Sequence, residues 1–229
     1  MNLLAFDTST QWLTVACVRD GRWIEREELA GQAHSQRLLP LVDEVLSEAG
    51  LDLGQLDAIA FGAGPGSFTG VRIGCGVAQG LAFGAGIALV PVSTLAALAE
   101  SAWQAHGWTR VLACLDARMR EVYVAAYRRE GDVWIVEREP AVLRPDDVAV
   151  SVEGNHGAGD GFAAYPDLSP RIALDGVDAS IIPHARAIAS IAMPQVAAGR
   201  TVRASEALPL YVRHRVALTT AEREAGLRL

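Results

Sequence analysis

Two short segments of the sequence carry groups that could do chemistry, and the first is Asp7-Thr8-Ser9-Thr10. It stands where a predicted strand leaves the core. An aspartate in that place can hold a hydrated metal ion, and the hydroxyl and backbone N–H groups after it can hold a phosphate. The same residue types also form turns through hydrogen bonds from side chain to backbone. On the residues alone, a phosphate site and a simple turn both remain open.

The second segment is a glycine-rich loop, residues 62–70, with the sequence GAGPGSFTG. It follows an apolar strand and opens a helix, whose first N–H groups and positive dipole end suit an anion. Its G-x-G-x-x-x-G spacing misses the dinucleotide fingerprint by one residue, and no acidic ribose partner follows about twenty residues later. Ser67 or Thr69 is predicted to cap the helix. The residues predicted to form a weak nucleotide or phosphate contact are Asp7, Thr8, Gly64, Gly66, Ser67 and Thr69.

The helix after this loop is unusually rich in small residues. They recur every four positions in two series, Gly70, Gly74, Ala78 and Ala82, and Gly76, Gly80 and Gly84. Each interior glycine costs a helix roughly 0.8–1 kcal/mol relative to alanine. Close approach of another backbone would offset that cost. The pattern therefore predicts that the helix packs against its own sheet on one face and against a second helix, of this chain or of a partner, on the other.

Composition excludes several kinds of site. All twenty basic residues are arginine, and a chain without lysine has neither a P-loop nor Schiff-base chemistry. Histidines and cysteines show no metal-ligand spacing, and no G-x-S-x-G nucleophile elbow occurs, so neither a metal site nor a catalytic residue is predicted. The net charge of −7 argues against a protein that binds nucleic acid by itself, although seven Arg against three Glu follow residue 185.

Cysteine usage and the N-terminus bear on location. Cys17, Cys75 and Cys114 each lie within an apolar run, so they are expected to be buried free thiols in a reducing compartment. The first residues lack the features of a secretion signal, and no apolar run reaches the roughly 18 residues of a membrane span. The chain is therefore expected to be cytoplasmic, without a membrane partner.

The elements that would position these segments occur twice. Residues 111–136 repeat the pattern of the N-terminus: Asp7 aligns with Asp116 at an offset of 109, and each copy is a strand ending in Asp, a second strand, a glycine turn and a third strand. The repeat predicts an α/β protein of two duplicated lobes, each a mixed sheet containing a β-meander with flanking helices, and a cleft between them. We expect an N-terminal lobe over residues 1–108 and a reduced C-terminal lobe with an irregular tail over 109–229.

Five segments together resemble the TsaB family of bacterial tRNA threonylcarbamoyladenosine biosynthesis proteins: LLAFDTST, AFGAGPGSFTGVRIG, VPVSTLAALA, LDARMREVYVAAY and PLYVR. The resemblance covers nearly the whole chain. It implies actin-like (ASKHA, ribonuclease H-like) lobes and a non-catalytic scaffold subunit that pairs with a catalytic paralogue, TsaD, during formation of the modified adenosine in tRNA. It also implies a TsaE-like ATPase as a further partner, a homodimer when the chain is alone, tRNA contact only through the complex, and no cofactor.

The resemblance further implies that the chain lacks the paralogue's metal ligands and indicates which helices form its pairing surface. The H-x-x-x-H metal pair of the paralogue falls here on Thr94 and Leu98, which cannot replace imidazole ligands. In this family, helices near residues 35–49 and 69–84 form the pairing surface. The implied interface residues are Leu38, Leu39, Val42, Val45, Leu46, Gly70, Gly74, Val77, Ala78, Gly80 and Leu81.

Two other functions remain as alternatives. One is an active phosphotransferase or ATPase of the actin-like type that uses Asp7 or Asp116; ATP hydrolysis lost in an Asp7→Ala variant would favour it. The other is a metallopeptidase-like protein, a description attached to this wider family. Metal in the purified chain would favour it.

Overall fold

The structure is a computed structural model that describes residues 1–149 and 154–212. Two five-stranded mixed sheets with flanking helices form two lobes, as the sequence repeat predicts. Four of the seven arginines after residue 185 lie outside the described residues, as does most of the predicted irregular tail. Within the described residues, no helix combines the length and the apolar character needed to cross a bilayer.

The first sheet has the strand order β3-β2-β1-β4-β5. β1, β2 and β3 form an antiparallel meander, and β4 and β5 continue the sheet parallel to β1. Its elements are β1 (Asn2–Asp7), β2 (Trp12–Arg19), β3 (Arg22–Leu29), α1 (His34–Ala49), β4 (Ala58–Gly64), α2 (Phe68–Ala85), β5 (Ala88–Ser93) and α3 (Thr94–His106). The two residues of the hairpin turn, Asp20 and Gly21, both have positive φ, at 50° and 84°, which suits the Asp-Gly pair there.

The second sheet repeats the meander, with the strand order β10-β9-β6-β7-β8. Its elements are β6 (Arg110–Arg118), β7 (Glu121–Glu130), β8 (Val133–Leu143), β9 (His156–Ala158), α4 (Gly161–Ala164), α5 (Leu168–Ile172) and β10 (Gly176–Asp178), and α6 (Ala185–Ala197) follows. β6 pairs antiparallel with β7 and parallel with β9, as β1 pairs with β2 and β4. The predicted duplication is therefore confirmed at the level of strand pairing.

The lobes are interlocked by a helix from each half of the chain. α6 packs against the first sheet, where Ile188 and Ala189 join Leu3 and Ala5 in one buried cluster. α3 packs against the second sheet in another buried cluster. After α6, Val202 pairs with Leu89 at the edge of the first sheet. The predicted division at residue 108 describes the sequence repeat, but packing assigns residues 185–212 to the first lobe.

Candidate functional site

The glycine-rich loop lies directly against the end of β1. The Ser67 N–H donates to the Ser9 carbonyl at 2.7 Å. A Cβ on Gly66 would overlap that same carbonyl oxygen, and a Cβ on Gly70 would overlap the carbonyl oxygen of Thr8. These glycines are required because two backbones of the same chain meet here, at a distance that no side chain tolerates.

A Gly70→Ala variant is therefore expected to lose about 3 kcal/mol of unfolding free energy, because its methyl group must displace backbone rather than a flexible side chain. The matched control is Gly76→Ala on the same helix, where a Cβ has nothing within 4 Å. That control should gain roughly 0.8–1 kcal/mol from helix propensity. Chemical denaturation of both variants measures the difference, and similar stabilities would contradict the close approach.

Asp7 lies beneath the loop and is 1% exposed. One of its carboxyl oxygens accepts hydrogen bonds from the N–H and the hydroxyl of Ser9, both at 2.8 Å. The other oxygen, Oδ2, faces Gly62 and has no hydrogen-bond partner among the described residues. Burial raises the pKa of this carboxyl to about 7, against the lowering effect of the Ser9 hydrogen bonds. Asp7 is thus an enclosed carboxyl group whose protonated form is favoured.

Thr8 is also fully buried, and its hydroxyl donates to the Gly70 carbonyl at 2.7 Å. Neither Asp7 nor Thr8 lines the cleft between the lobes. The expectation that these two side chains contact a phosphate is therefore corrected: their polar groups tie β1 to the loop and to α2. On this geometry Asp7 also gives no support to the phosphotransferase alternative.

The cleft between the lobes has a volume of about 1080 Å³ and retains only part of the predicted nucleotide contact. Its polar lining on the first lobe includes Ser9, Thr10, Gly66, Ser67 and Thr69, and on the second lobe Asp116, Arg118 and Asp160. The Ser67 side chain is already engaged as the helix cap, accepting from the Gly70 N–H at 3.3 Å. Asp116, the counterpart of Asp7, pairs with Arg118 at 2.9 Å. Burial raises the pKa of Asp160, which accepts from the Asp116 N–H.

Gly64 and Thr94 meet behind the cleft. Gly64 has a φ of 102° and donates its N–H to the Thr94 hydroxyl at 3.1 Å. Thr94 and Leu98 are fully buried, Leu98 in the apolar cluster under the second sheet. The resemblance implies that the paralogue's histidine pair falls on these two positions, and core packing occupies both. In the part of the chain that the structure describes, no group of three or more His, Cys, Asp or Glu side chains is placed to hold a metal ion.

Helix α2 has two small-residue faces, as predicted. The face with Gly74, Ala78 and Ala82 packs on the chain's own core: both alanines are buried, and a Cβ on Gly74 would lie 2.6 Å from the Thr8 hydroxyl oxygen. The other face is open, because a Cβ on Gly76, Gly80 or Gly84 would have nothing within 4 Å. The prediction of own-sheet packing is confirmed for the first face. The second face is left uncovered by the described residues.

Burial corrects the implied interface at several positions. Leu38, Val42, Val45 and Leu46 belong to the core beneath α1, and Gly70, Gly74 and Ala78 belong to the buried face of α2. Val77 and Leu81 are partly buried. The exposed members are Leu39, which is 49% exposed on α1, and Gly80.

Sequence reasoning missed Phe83, which is 85% exposed. It lies three residues after Gly80 and seven after Gly76, so helical spacing places it on the open face and could have identified it. We name this face the α2 stripe and define it as Gly76, Gly80, Phe83 and Gly84. α1, with the exposed Leu39, is the neighbouring helix.

Comparison with known proteins agrees with this architecture. The family model described as "TsaD: tRNA N6-adenosine threonylcarbamoyltransferase" matches residues 27–216. The tRNA threonylcarbamoyladenosine biosynthesis protein TsaB of Escherichia coli is 44% identical over 223 residues, covering 95% of this chain and 96% of the relative. The protein of the same name from Haemophilus influenzae is 39% identical over 226 residues, covering 94% and 95%.

Two solved structures from Pseudomonas aeruginosa are also similar. YeaZ superimposes with a TM-score of 0.87 at 44% identity, covering 92% of this chain and 99% of that chain. A protein described as uncharacterized, with similarity to peptidase YEAZ, superimposes with a TM-score of 0.88 at 44% identity, covering 93% and 99%. Since the curated relatives match over nearly their full length, the chain belongs to the TsaB family of tRNA threonylcarbamoyladenosine biosynthesis proteins.

Proposed function

We propose that this chain is a non-catalytic scaffold subunit that pairs with a TsaD-like paralogue through the α2 stripe and so supports formation of N6-threonylcarbamoyladenosine in tRNA. The observation that carries the proposal is the stripe itself, where Phe83 is 85% exposed beside glycines with open space around them. An exposed phenylalanine on a glycine-rich helix face gains free energy from burial against a partner.

The shape of the stripe favours a helix as the partner surface. Gly76, Gly80 and Gly84 follow one another at four-residue intervals, which is the spacing of a ridge on a helix surface. Without side chains, this row becomes a shallow groove in which a second helix can lie at the short end of the usual 8–10 Å interaxial range. Phe83 and, on α1, Leu39 would then be covered from the side.

The family supports a TsaD-like protein as the partner. The curated relatives are named for threonylcarbamoyladenosine biosynthesis, and the matching family model is described as TsaD, so a paralogue of the same architecture is the fitting partner. The same stripe would serve a homodimer when the chain is alone. A TsaE-like ATPase would join the assembly, tRNA would be contacted only through the complex, and the chain would act in the cytoplasm.

The absence of a catalytic role is supported by where three buried groups lie. Asp7 is enclosed beneath the loop, and Thr94 and Leu98 are enclosed in the core. A carboxylate must reach a ligand to hold its metal ion, and Asp7 does not line the cleft. The partner would therefore catalyse the reaction, and this chain would support the partner.

The test is reconstitution with the TsaD-like protein of the same organism. We expect the two chains to co-purify, and tRNA modification by the remaining components to require this chain. The purified chain alone should neither hydrolyse ATP nor hold stoichiometric metal. Modification at full rate without this chain would overturn the proposal, and ATP hydrolysis lost in an Asp116→Ala variant would favour the phosphotransferase instead.

A further inference from the structure

The chain after α6 runs across the first lobe and ends its described course in the cleft between the lobes. We name residues 203–212 the C-terminal strap. Its start is fixed, because Val202 pairs with Leu89, with N–H···O distances of 2.8 and 2.9 Å. Its middle lies on α2, where the carbonyl of the buried Ala207 accepts from the Gln79 amide at 2.9 Å. The strap therefore covers one side of α2.

The distal part of the strap lines the cleft beside the glycine-rich loop. The Leu210 N–H donates to the Ala63 carbonyl at 2.7 Å. The Leu210 carbonyl lies 3.0 Å from the place where a Cβ on Gly64 would stand. Leu210, Tyr211 and Val212 are part of the cleft lining. The chain thus occupies the space beside the loop with its own backbone.

A small aromatic and cationic cluster holds the strap in place. Arg72 donates from Nε to the Tyr211 hydroxyl at 2.9 Å, and its guanidinium lies 3.7 Å from the centroid of the Phe68 ring. The rings of Phe68 and Tyr211 are 6.3 Å apart. Each contact is of the exposed kind that contributes modestly, and Tyr211 is 49% exposed. Apart from the buried Ala207, the strap is held by few and mostly exposed contacts, which places its distal end at the low end of local stability.

We propose that the C-terminal strap is a hinged element, latched by Tyr211 on Arg72 and Phe68, which narrows the inter-lobe cleft and opens by local unfolding while both lobes remain folded. Opening would free the Ala63 carbonyl and widen the cleft next to Gly64. It would also uncover the part of α2 that Ala207 covers. Strap opening changes access to the cleft whether or not the chain pairs with the partner proposed above.

A native thiol reports on this opening. Cys75 is 4% exposed and its Sγ lies 3.7 Å from the Ala207 carbonyl oxygen, under the strap. Cys17 and Cys114 are fully buried in the cores of the first and second lobes, on strands β2 and β6 rather than on α2 under the strap. Local opening exposes Cys75 alone, whereas global unfolding exposes all three cysteines. The chain therefore contains its own internal reference.

The experiment measures N-ethylmaleimide modification of each cysteine in the full chain under native conditions, by mass spectrometry of its peptides. We expect Cys75 in the wild type to react at least about tenfold faster than Cys17 and Cys114. Tyr211→Ala should accelerate Cys75 by about another tenfold, with Tyr211→Phe intermediate because it keeps the ring and loses the hydroxyl. The matched control is Leu208→Ala, a strap position that is 70% exposed and apart from the latch.

The rate of amide hydrogen exchange at the Leu210 N–H should increase in the same order, from the wild type through Tyr211→Phe to Tyr211→Ala. Modification of all three cysteines at one rate would overturn the proposal, because the strap would then open only with the whole protein. Equal acceleration of Cys17 and Cys114 in Tyr211→Ala would overturn it on the same ground. Equal rates of Cys75 modification in Tyr211→Ala and Leu208→Ala would show that Tyr211 does not hold the strap in place.

Discussion

A Gly80→Leu variant is expected to lose its TsaD-like partner while becoming more stable as an isolated chain. A Cβ on Gly80 has nothing within 4 Å, so the leucine side chain starts from open space on the exposed face of α2. Replacing an interior glycine of an exposed helix face should add roughly 0.8 kcal/mol to the unfolding free energy. The same side chain would fill the groove proposed for the partner helix, so stability and affinity should move in opposite directions.

We expect the affinity for the partner to fall at least about 100-fold, or about 2.7 kcal/mol. Isothermal titration with the TsaD-like protein measures the affinity, and denaturant titration measures the stability. The matched control is Ala105→Leu, which adds the same exposed side chain to α3, away from the stripe. Wild-type affinity in Gly80→Leu would show that the partner does not contact the stripe. Gly74→Leu is a poor test, since it would also disturb the contact with Thr8.

An Asp7→Asn variant is expected to be more stable than the wild type at pH 8 and about equal to it at pH 4. The pKa of Asp7 rises from 3.8 to about 7 on folding, chiefly because burial disfavours the charged carboxylate. Between pH 3.8 and about pH 7, the folded protein keeps a proton on Asp7 that the unfolded chain has lost. The unfolded state therefore binds fewer protons, and the free energy of unfolding falls as pH rises.

About three pKa units at about 1.4 kcal/mol each correspond to a loss of about 4 kcal/mol across this range, complete above pH 7. Asparagine is neutral throughout and keeps an oxygen that can accept from Ser9, so it should remove this contribution. Denaturant titrations from pH 4 to pH 8 measure the difference between wild type and variant. The control, Asp43→Asn, makes the same substitution at an exposed aspartate on α1. Parallel profiles for Asp7→Asn and the wild type would show that the pKa of Asp7 is the same in the folded and unfolded states.

Local sequence signals were sufficient for much of the fold. The Asp20-Gly21 turn and the repeated meander could be predicted because neighbouring residues carry the signal. The Asp-Gly pair marks the turn, and alternating apolar residues mark the strands. Ser67, one of the two predicted caps, does cap α2, which spans Phe68–Ala85 against the 69–84 implied by the family. Each of these features depends on interactions within a hairpin or within one helical turn, which a short segment encodes by itself.

The assignment of helix faces could not be obtained in the same way. α2 presents small residues on both faces, so hydrophobic periodicity does not distinguish the face on the core from the face in solvent. What fixes the buried face is the Thr8 backbone and side chain, contributed from more than sixty residues away. On α1, by contrast, the spacing of Leu38, Val42 and Val45 marks a buried face. The resemblance to the family implies a pairing surface on these same residues, but they lie in the core.

The packing of α6 on the first sheet has a consequence for how the chain folds during synthesis. Leu3 and Ala5 share a buried cluster with Ile188 and Ala192, so one side of the earliest strand is incompletely covered until residue 192 has emerged from the ribosome. The lobe that begins first is thus completed by a late helix. Until then its nascent sheet presents an apolar surface of the kind that chaperones bind and that aggregation exploits.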